Sequence, residues 1–593
     1  MSEIHSLGSV PLFIFSNFLP ETMLIVLAAL AIFGLFQLAR ATLTSPELKM
    51  ALIRWIELIL FVGAAFAIGF LIVAANARAK EKQAEKLHDE LQAALTHQQQ
   101  LTAKNEKERT EYVLEIINLG ISLDKHRQNK VWDALQKGGP YSSIRELDPK
   151  KYAWSDTDKM GISGGRILDA FENAAKSTPM YWGLPSFYAG APSYVLPKDP
   201  VMGLAGNTQG TGLSFHLWVN GAWKLAERPD RLLEQVFDFF DQYPDVPFVV
   251  LTADDSYSYR DQSLPPGTPS LVKDGYYVPA MPDAAAVFIL ARRERVEPLR
   301  PYAWYDLDDN FLQWEFRQMY YKLMDSIPTN ATYGYGTKIA RPPTSTEWLH
   351  AAAVFAKNPE AHPEGHDEFL TKMTAYRNKP PKSWKPTPWF PIPWTSGQLS
   401  AFDSLPTLGY LHRPVFIPFR DADGNPVKRR DQRQQIIMAG WQQALQTLPD
   451  SGREKGPARI IAGTNNNKDQ LIMLTTMLHQ YEHAGGPAFD ITKTAQFIDT
   501  DRRLGNTGAA TFFMQMALGM MGSYKEGGVS AAINLRDPDE ASIVLISPAP
   551  DEKRRLQRDP FVHDVQPQID PDNYKAPSVE ALLQAQQAGV ANK

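Results

Sequence analysis

The stretch FVVLTA, residues 248–253, is apolar at all but one position, and a run of that kind reads as a strand buried on both faces. It follows a helix. Leu232, Leu233, Val236, Phe237, Phe239 and Phe240 recur at helical spacing, Pro229 suits the helix start, and Pro244 and Pro247 end it. Helix, short turn and buried strand in succession are the signature of an α/β sheet, and they limit the body of the chain to that class. A further strand follows in AAAVFILARRE, residues 284–294.

The second half uses the same vocabulary. A helix in RDQRQQIIMAGWQQALQTL (430–448) precedes the strand ARIIAGTN (458–465), and KDQLIMLTTMLHQYEHAG (468–485) is a helix with a glycine stop. Two strands close this half, GVSAAINLRD (528–537) and EASIVLISP (540–548). Asp537, Pro538 and Asp539 join them as a hairpin. The last strand of each half has the same make-up: an acidic residue, small residues, then an apolar run. The spacing therefore predicts an internal duplication, with strand order shared between the halves.

The amino end is of another kind. Met23 to Ala39 and Ile56 to Ala75 are apolar runs, and a helix crosses a bilayer core with roughly 17–25 residues. They predict a two-helix transmembrane hairpin over 23–75 behind a segment 1–22. Basic residues on its two sides, Arg40, Lys49 and Arg54 against Arg78, Lys80, Lys82 and Lys86, slightly favour a cytoplasmic body. Residues 76–110, rich in Lys, Glu, Gln and Ala, read as a charged helical stalk. EYVLEIINLGISLD (111–124) begins the globular part as a strand.

These readings divide the body into a first α/β lobe (111–325), a Pro/Trp-rich connection (326–409), a second α/β lobe (410–550) and a mobile tail (551–593). The connection contains PPKSWKPTPWFPIPWTSG, where prolines alternate with Trp384, Trp389, Phe390 and Trp394. Proline at that density excludes helix and central strand. The tryptophans either tuck onto the core, the preferred reading, or form a partner-docking surface.

Several motifs carry chemistry on paper. HQYEH (479–483) places His479 and His483 one helical turn apart with Glu482 between, the inverted zinc-protease pattern. The exposed end of an amphipathic helix explains it better. HPEGH (362–366) sits on a loop broken by Pro and Gly. Asp254 and Asp255 end a buried strand, where they can serve as an acid–base pair or cap the next turn. GISGG (161–165) lacks a phosphate-loop lysine and reads as a flexible turn. The aromatic run at 302–324 reads as core packing. No Gly-x-Ser-x-Gly elbow occurs, and a chain without cysteine has no thiolate for catalysis or metal binding. A formal charge of −5 gives no general attraction to nucleic acid.

One loop raises the question of function most directly. Gly505-Asn506-Thr507-Gly508 opens into the apolar helix ATFFMQMALGMM. With GNTGAAT in this loop and the two closing strands after it, residues 458–548 resemble the carboxyl-terminal half of the thiolase and ketoacyl-synthase superfamily. The resemblance implies a duplicated, layered α/β body. It also implies that Asn506 stands where condensing enzymes keep a loop histidine, and the chain has no cysteine to act as their nucleophile. The fold is then retained and the chemistry lost.

The whole chain, from the apolar hairpin through EYVLEIINLGISLD and AWYDLDDNF to GNTGAAT, resembles the adapter proteins of type VI secretion lipase effectors. That resemblance implies a non-enzymatic adapter or chaperone at the bacterial inner membrane. Such a protein binds a lipase effector and helps load it onto a VgrG spike protein, without cofactor, catalytic residues or resident metal. Gly505, Asn506, Thr507 and Gly508 are the candidate ligand or partner loop. The alternative is an enzyme or acyl-ligand-binding protein of thiolase-like fold or, less favoured, a zinc hydrolase built on His479 and His483.

Overall fold

The computed structural model describes residues 112–175, 184–192, 228–303 and 393–562, the strands at 201–205 and 216–220, and a few scattered positions. The expected membrane hairpin and stalk, the 362–366 motif, most of the 302–324 aromatic run and the tail beyond 562 lie outside the described residues. Among the described residues no helix is long and apolar enough to cross a membrane.

The strands are β1 (Val113–Leu123), β2 (His126–Arg127), β3 (Leu184–Ala189), β4 (Val201–Ala205), β5 (His216–Asn220), β6 (Phe248–Asp255), β7 (Ala284–Ala291), β8 (Gly409–His412), β9 (Val415–Pro418), β10 (Pro457–Gly463), β11 (Phe497–Asp499), β12 (Val529–Asn534) and β13 (Glu540–Pro548). The helices used below are α1 (Asn129–Lys137), α2 (Asp156–Ala175), α3 (Pro229–Gln242), α4 (Tyr257–Gln262), α5 (Ser396–Asp403), α6 (Arg430–Leu445), α7 (Lys468–His483) and α8 (Thr511–Glu526).

Among the described residues thirteen strands join one hydrogen-bonded sheet, ordered β11-β10-β12-β13-β8-β1-β7-β6-β3-β5-β4, with β2 on β1 and β9 on β13. Its two halves repeat one plan. In the first, β1, β3, β5, β6 and β7 lie in the order first-fifth-fourth-second-third. In the second, β8 with β9, then β10, β11, β12 and β13, lie in that order too. Strand directions match as well. β3 is parallel to β5 and β6, as β10 is to β11 and β12. β7 is antiparallel to both neighbours, as is β13. Antiparallel pairing of β1 with β8 joins the halves. The expected duplication is present in the strand order. Within it, α6–β10 is the counterpart of α2–β3, and α8–β12 the counterpart of α3–β6. β4 is an addition to the first half, antiparallel to β5 at the sheet edge.

Strand alternation divides the core of the second half between two faces. Ile460, Ala462, Ala531, Ile533, Ile543 and Leu545 face α6 and α7, packing with Trp441, Leu474 and Leu478. Ile461, Ala532, Val544 and Ile546 point the other way, toward α8. Side chains two apart share a face, so this sorting follows from the pleat. α8 is buried at 14 of its 16 positions and touches β10, β12 and β13 of its own half together with β1 and β7 of the first. A helix apolar all round belongs inside, and here it is the centre of the body.

Two expectations are corrected. Gly161–Gly165, expected as a flexible turn, lies within α2. The helix continues through the glycines because Ile167, Ala170, Phe171 and Ala174 pack against β1 and β7. The approach is close: a Cβ at Gly120 of β1 would lie 1.7 Å from the Ala170 carbonyl oxygen. Tertiary burial outweighs the roughly 1 kcal/mol that a helical glycine costs. The second concerns the tryptophan segment as a docking surface. Trp389, Phe390 and Trp394 are each 1% exposed. Trp389 meets Phe239 and Tyr243 edge-on, and Trp394 packs on Phe248 and Phe402. Trp384 is half-buried, donating its indole N–H to the Phe390 carbonyl. Tucking these rings inward removes apolar area from water, which a free docking face does not do.

Candidate functional site

The carboxyl ends of β6, β10 and β12 meet the start of α8 in a cleft of about 340 Å³. Crevices at the carboxyl ends of strands are where open α/β sheets receive ligands. The loop singled out in the sequence forms one wall. Gly505 and Gly508 have φ of 85° and 56°. At Gly508 a Cβ would lie 2.1 Å from Asp255 Oδ2, so both backbone angle and space call for glycine there. Thr507 is buried and donates from Oγ1 to Thr511 Oγ1 at 2.9 Å. Asn506 is exposed. Its Oδ1 accepts from Gly508 N at 3.0 Å and from Arg536 Nη2 at 2.8 Å.

The pair Asp254-Asp255 divides its work. Asp255 is fully buried and accepts from Ser256 N at 2.9 Å, Ala509 N at 2.8 Å and Arg260 Nη2 at 2.7 Å. It ties the first half to the helix start of the second. Burial pushes its carboxyl upward while Arg260 pulls against that. Asp254 accepts from the Tyr188 hydroxyl at 2.7 Å, and burial pushes its carboxyl up to about 7. Between acid–base pair and structural cap, the geometry of Asp255 is that of the cap.

Two further ionic groups close the cleft. Arg536 pairs with the buried Asp501, whose other oxygen accepts from Asn465 N at 2.7 Å. Arg228 bonds Asp230 at 3.0 Å, then crosses to the closing hairpin of the second half, reaching Asp537 at 2.8 Å and Glu540 at 2.6 Å. Ser542 Oγ donates to Asp230 at 2.8 Å. Each guanidinium lining the cleft is thus held by a carboxylate. Among the described residues the lining contains neither histidine nor lysine, and the chain has no cysteine. Hydrogen bonding and shape recognition are what these described groups can do.

The remaining histidines of interest stand elsewhere. His412 is buried between the Thr447 carbonyl and Ser547 Oγ, each 2.7 Å away, and burial lowers it to about 4, so it is neutral. His479 and His483 lie on the exposed end of α7, with His479 3.6 Å from Glu482. Among the described residues no three His, Asp or Glu side chains are grouped to hold a metal ion.

The sequence reading found the glycine loop and the Asp254-Asp255 strand end. It missed Arg228, Arg260, Asp501 and Arg536: the Arg228 pairs with Asp537 and Glu540 join residues 309 and 312 positions apart and leave no local pattern, while Arg260 with Asp255 and Arg536 with Asp501 lie nearer in sequence but in no motif. One usable signal was passed over in TNNN, where Asn465 and Asn466 both take positive φ, a conformation asparagine tolerates.

Comparison with known proteins bears on both halves. Residues 112–274 match the amino-terminal family model of the type VI lipase adapter protein Tla3, and residues 408–548 match its carboxyl-terminal model. The two matches together span just over half of the chain. The chain belongs to the Tla3 family of type VI lipase adapter proteins. The matched regions of this Tla3-family chain include the strands of both halves that meet at the cleft.

Among solved structures, similar chains are condensing-enzyme domains. The oxazolomycin ketosynthase domain from Streptomyces albus JA3453 is 8% identical over 74% of this chain and 96% of its own, with a TM-score of 0.34. The ketosynthase from module 1 of the bacillaene synthase of Bacillus amyloliquefaciens FZB42 is 10% identical over 75% and 74%, with a TM-score of 0.33. The 3-oxoacyl-[acyl-carrier-protein] synthase III of Aquifex aeolicus VF5 is 8% identical over 73% and 99%, with a TM-score of 0.26. Superpositions this loose carry no argument about chemistry.

Proposed function

We propose that this chain is a non-enzymatic adapter that binds a type VI lipase effector and helps load it onto a VgrG spike protein. Membership of the Tla3 adapter family carries the reading, since the family models match regions in both halves of the body. The cleft supports it. Its arginines are committed to carboxylates, and Asn506 binds Arg536 and the loop backbone. The body is then a duplicated thiolase-like frame used for binding. The apolar runs at 23–39 and 56–75 would anchor it to the inner membrane, with the body on the cytoplasmic side.

Co-purification from the native host in mild detergent, read by mass spectrometry, tests the reading. Recovery of a type VI lipase together with VgrG is expected. Recovery of the lipase alone would keep the adapter role and remove the loading step. Recovery of neither sinks both. A chain lacking residues 1–75 should leave the membrane fraction, and retention there counts against the anchor. The acyl-ligand alternative predicts a bound acyl or phosphopantetheine species in native mass spectrometry of the purified chain.

A further inference from the structure

After its last strand the chain turns back over the body. Beyond β13 it forms a short helix, α9 (Asp551–Leu556), and runs on to Phe561. This strap starts in the second half and ends on the first. The Phe561 carbonyl accepts from Asn129 N at 3.2 Å, and Asp559 Oδ2 accepts from Asn129 Nδ2 at 2.8 Å. Asn129 is the first residue of α1. On the way the strap crosses the carboxyl end of α8. Arg554 donates to the Tyr524 carbonyl, and the Tyr524 hydroxyl donates to Gln557 Oε1 at 3.4 Å.

Phe561 fastens the strap. Within residues 551–562 it alone is buried, and its side chain has no exposed surface. Its ring meets Tyr524 edge-on at 5.3 Å and belongs to the main core. Lys525 Nζ stands 5.8 Å from the ring centroid. The rest of the strap is exposed or half-buried, and Leu556 is left in water. One buried ring and a few hydrogen bonds at solvent-facing positions therefore hold the whole segment. A segment with so few buried apolar contacts opens locally at a lower free energy than the sheet behind it.

The two ends of the central helix are thus tied to the first half in different ways. At its start the buried Asp255 accepts from Ala509 N. At its far end a surface strap carries one buried ring across to α1. We propose that residues 551–562 are a releasable clasp: Phe561 leaves its socket as a local event, uncovering the carboxyl end of α8 and the start of α1 while the sheet stays folded. The clasp makes the far end of α8 the end that can be uncovered, and Asp255 keeps the cleft end fixed.

Hydrogen exchange of the full chain in mild detergent, read at single amides by mass spectrometry across a urea series below the unfolding transition, tests the clasp. The Asn129 amide reports the strap, and the Ala532 amide of β12 reports the sheet. In the wild type Asn129 should exchange faster than Ala532 and respond weakly to urea, because a local opening exposes little surface. Phe561→Ala should speed exchange at Asn129 roughly tenfold or more, and a chain ending at Leu556 should do the same. Both should keep the steep urea response of Ala532, which shows the sheet still folded. A chain ending at Val562 should behave as wild type. A single rate and a single urea slope for Asn129 and Ala532 in the wild type overturns the clasp, since the strap then opens only with the whole body. Exchange at Asn129 unchanged by Phe561→Ala overturns it as well.

Discussion

α3 and α8 occupy the same place in the two halves, each preceding the fourth strand of its half in chain order, yet they are opposite in character. α3 is amphipathic: half of its 14 residues are buried, and its outer face carries Arg231 and Glu234. α8 is buried almost throughout and touches strands of both halves. A duplicated plan thus gives one helix to the rim and the other to the centre. Equal topology does not impose equal burial, and the antiparallel pairing of the equivalent strands β1 and β8 treats the halves alike, so the difference lies in the side chains of the two helices.

The largest test of this difference is a matched pair of deletions. Phe513→Ala in α8 removes a fully buried ring against Phe288 and should cost about 4 kcal/mol. Phe239→Ala in α3, where the ring is only half-buried, should cost about 1–2 kcal/mol. Urea denaturation of both variants checks this, and equal losses would show that α3 is as central as α8.

Next is the contact between halves. Arg228→Met leaves the fully buried Asp230 without its ion pair and should cost about 3 kcal/mol, discounted for the partial exposure of Arg228. Adding Asp230→Asn should recover part of the loss, because the stranded charge is then gone. Absence of recovery would place the cost in lost packing instead.

A smaller effect comes from pH. Asp254 is held up to about 7 by burial, while an unfolded aspartate titrates near ~4. Between these values the folded chain holds a proton that the unfolded chain has released, so stability falls as pH rises from about 4 to about 7. Asp254→Asn should flatten part of that fall in the thermal midpoint. A variant with the same pH slope as wild type would remove Asp254 from the account.

The smallest effect belongs to the outer helices. His479→Ala and His483→Ala on the exposed end of α7 should each change stability by no more than about 0.5 kcal/mol. Zinc titration followed by calorimetry should show no binding that these variants abolish; zinc binding lost in both would restore the metal reading.

Much of this was legible in local patterns. FVVLTA, AAAVFILA, ARIIAG and EASIVLISP are strands because continuous apolar runs of that length have no other economical burial in an α/β body. The hairpin at Asp537–Asp539 follows from turn chemistry. The glycines at 161–165 misled, because packing on β1 and β7 decided their state. The tryptophan segment allowed two placements until Phe239, Phe248 and Phe402 were found to surround it.

Sequence alone determined the α/β class, the repeated strand vocabulary, the lack of a thiolate, and the glycine turn ahead of α8. Those depend on residue type and short spacing, which a linear reading contains. Tertiary structure alone decided the single sheet of thirteen described strands and the cleft in which Arg228, Asp255, Asp501 and Arg536 meet. Those depend on which distant segments come together, and pairs such as Arg228 with Glu540 or Asp255 with Ala509 become partners only when the two halves close on each other.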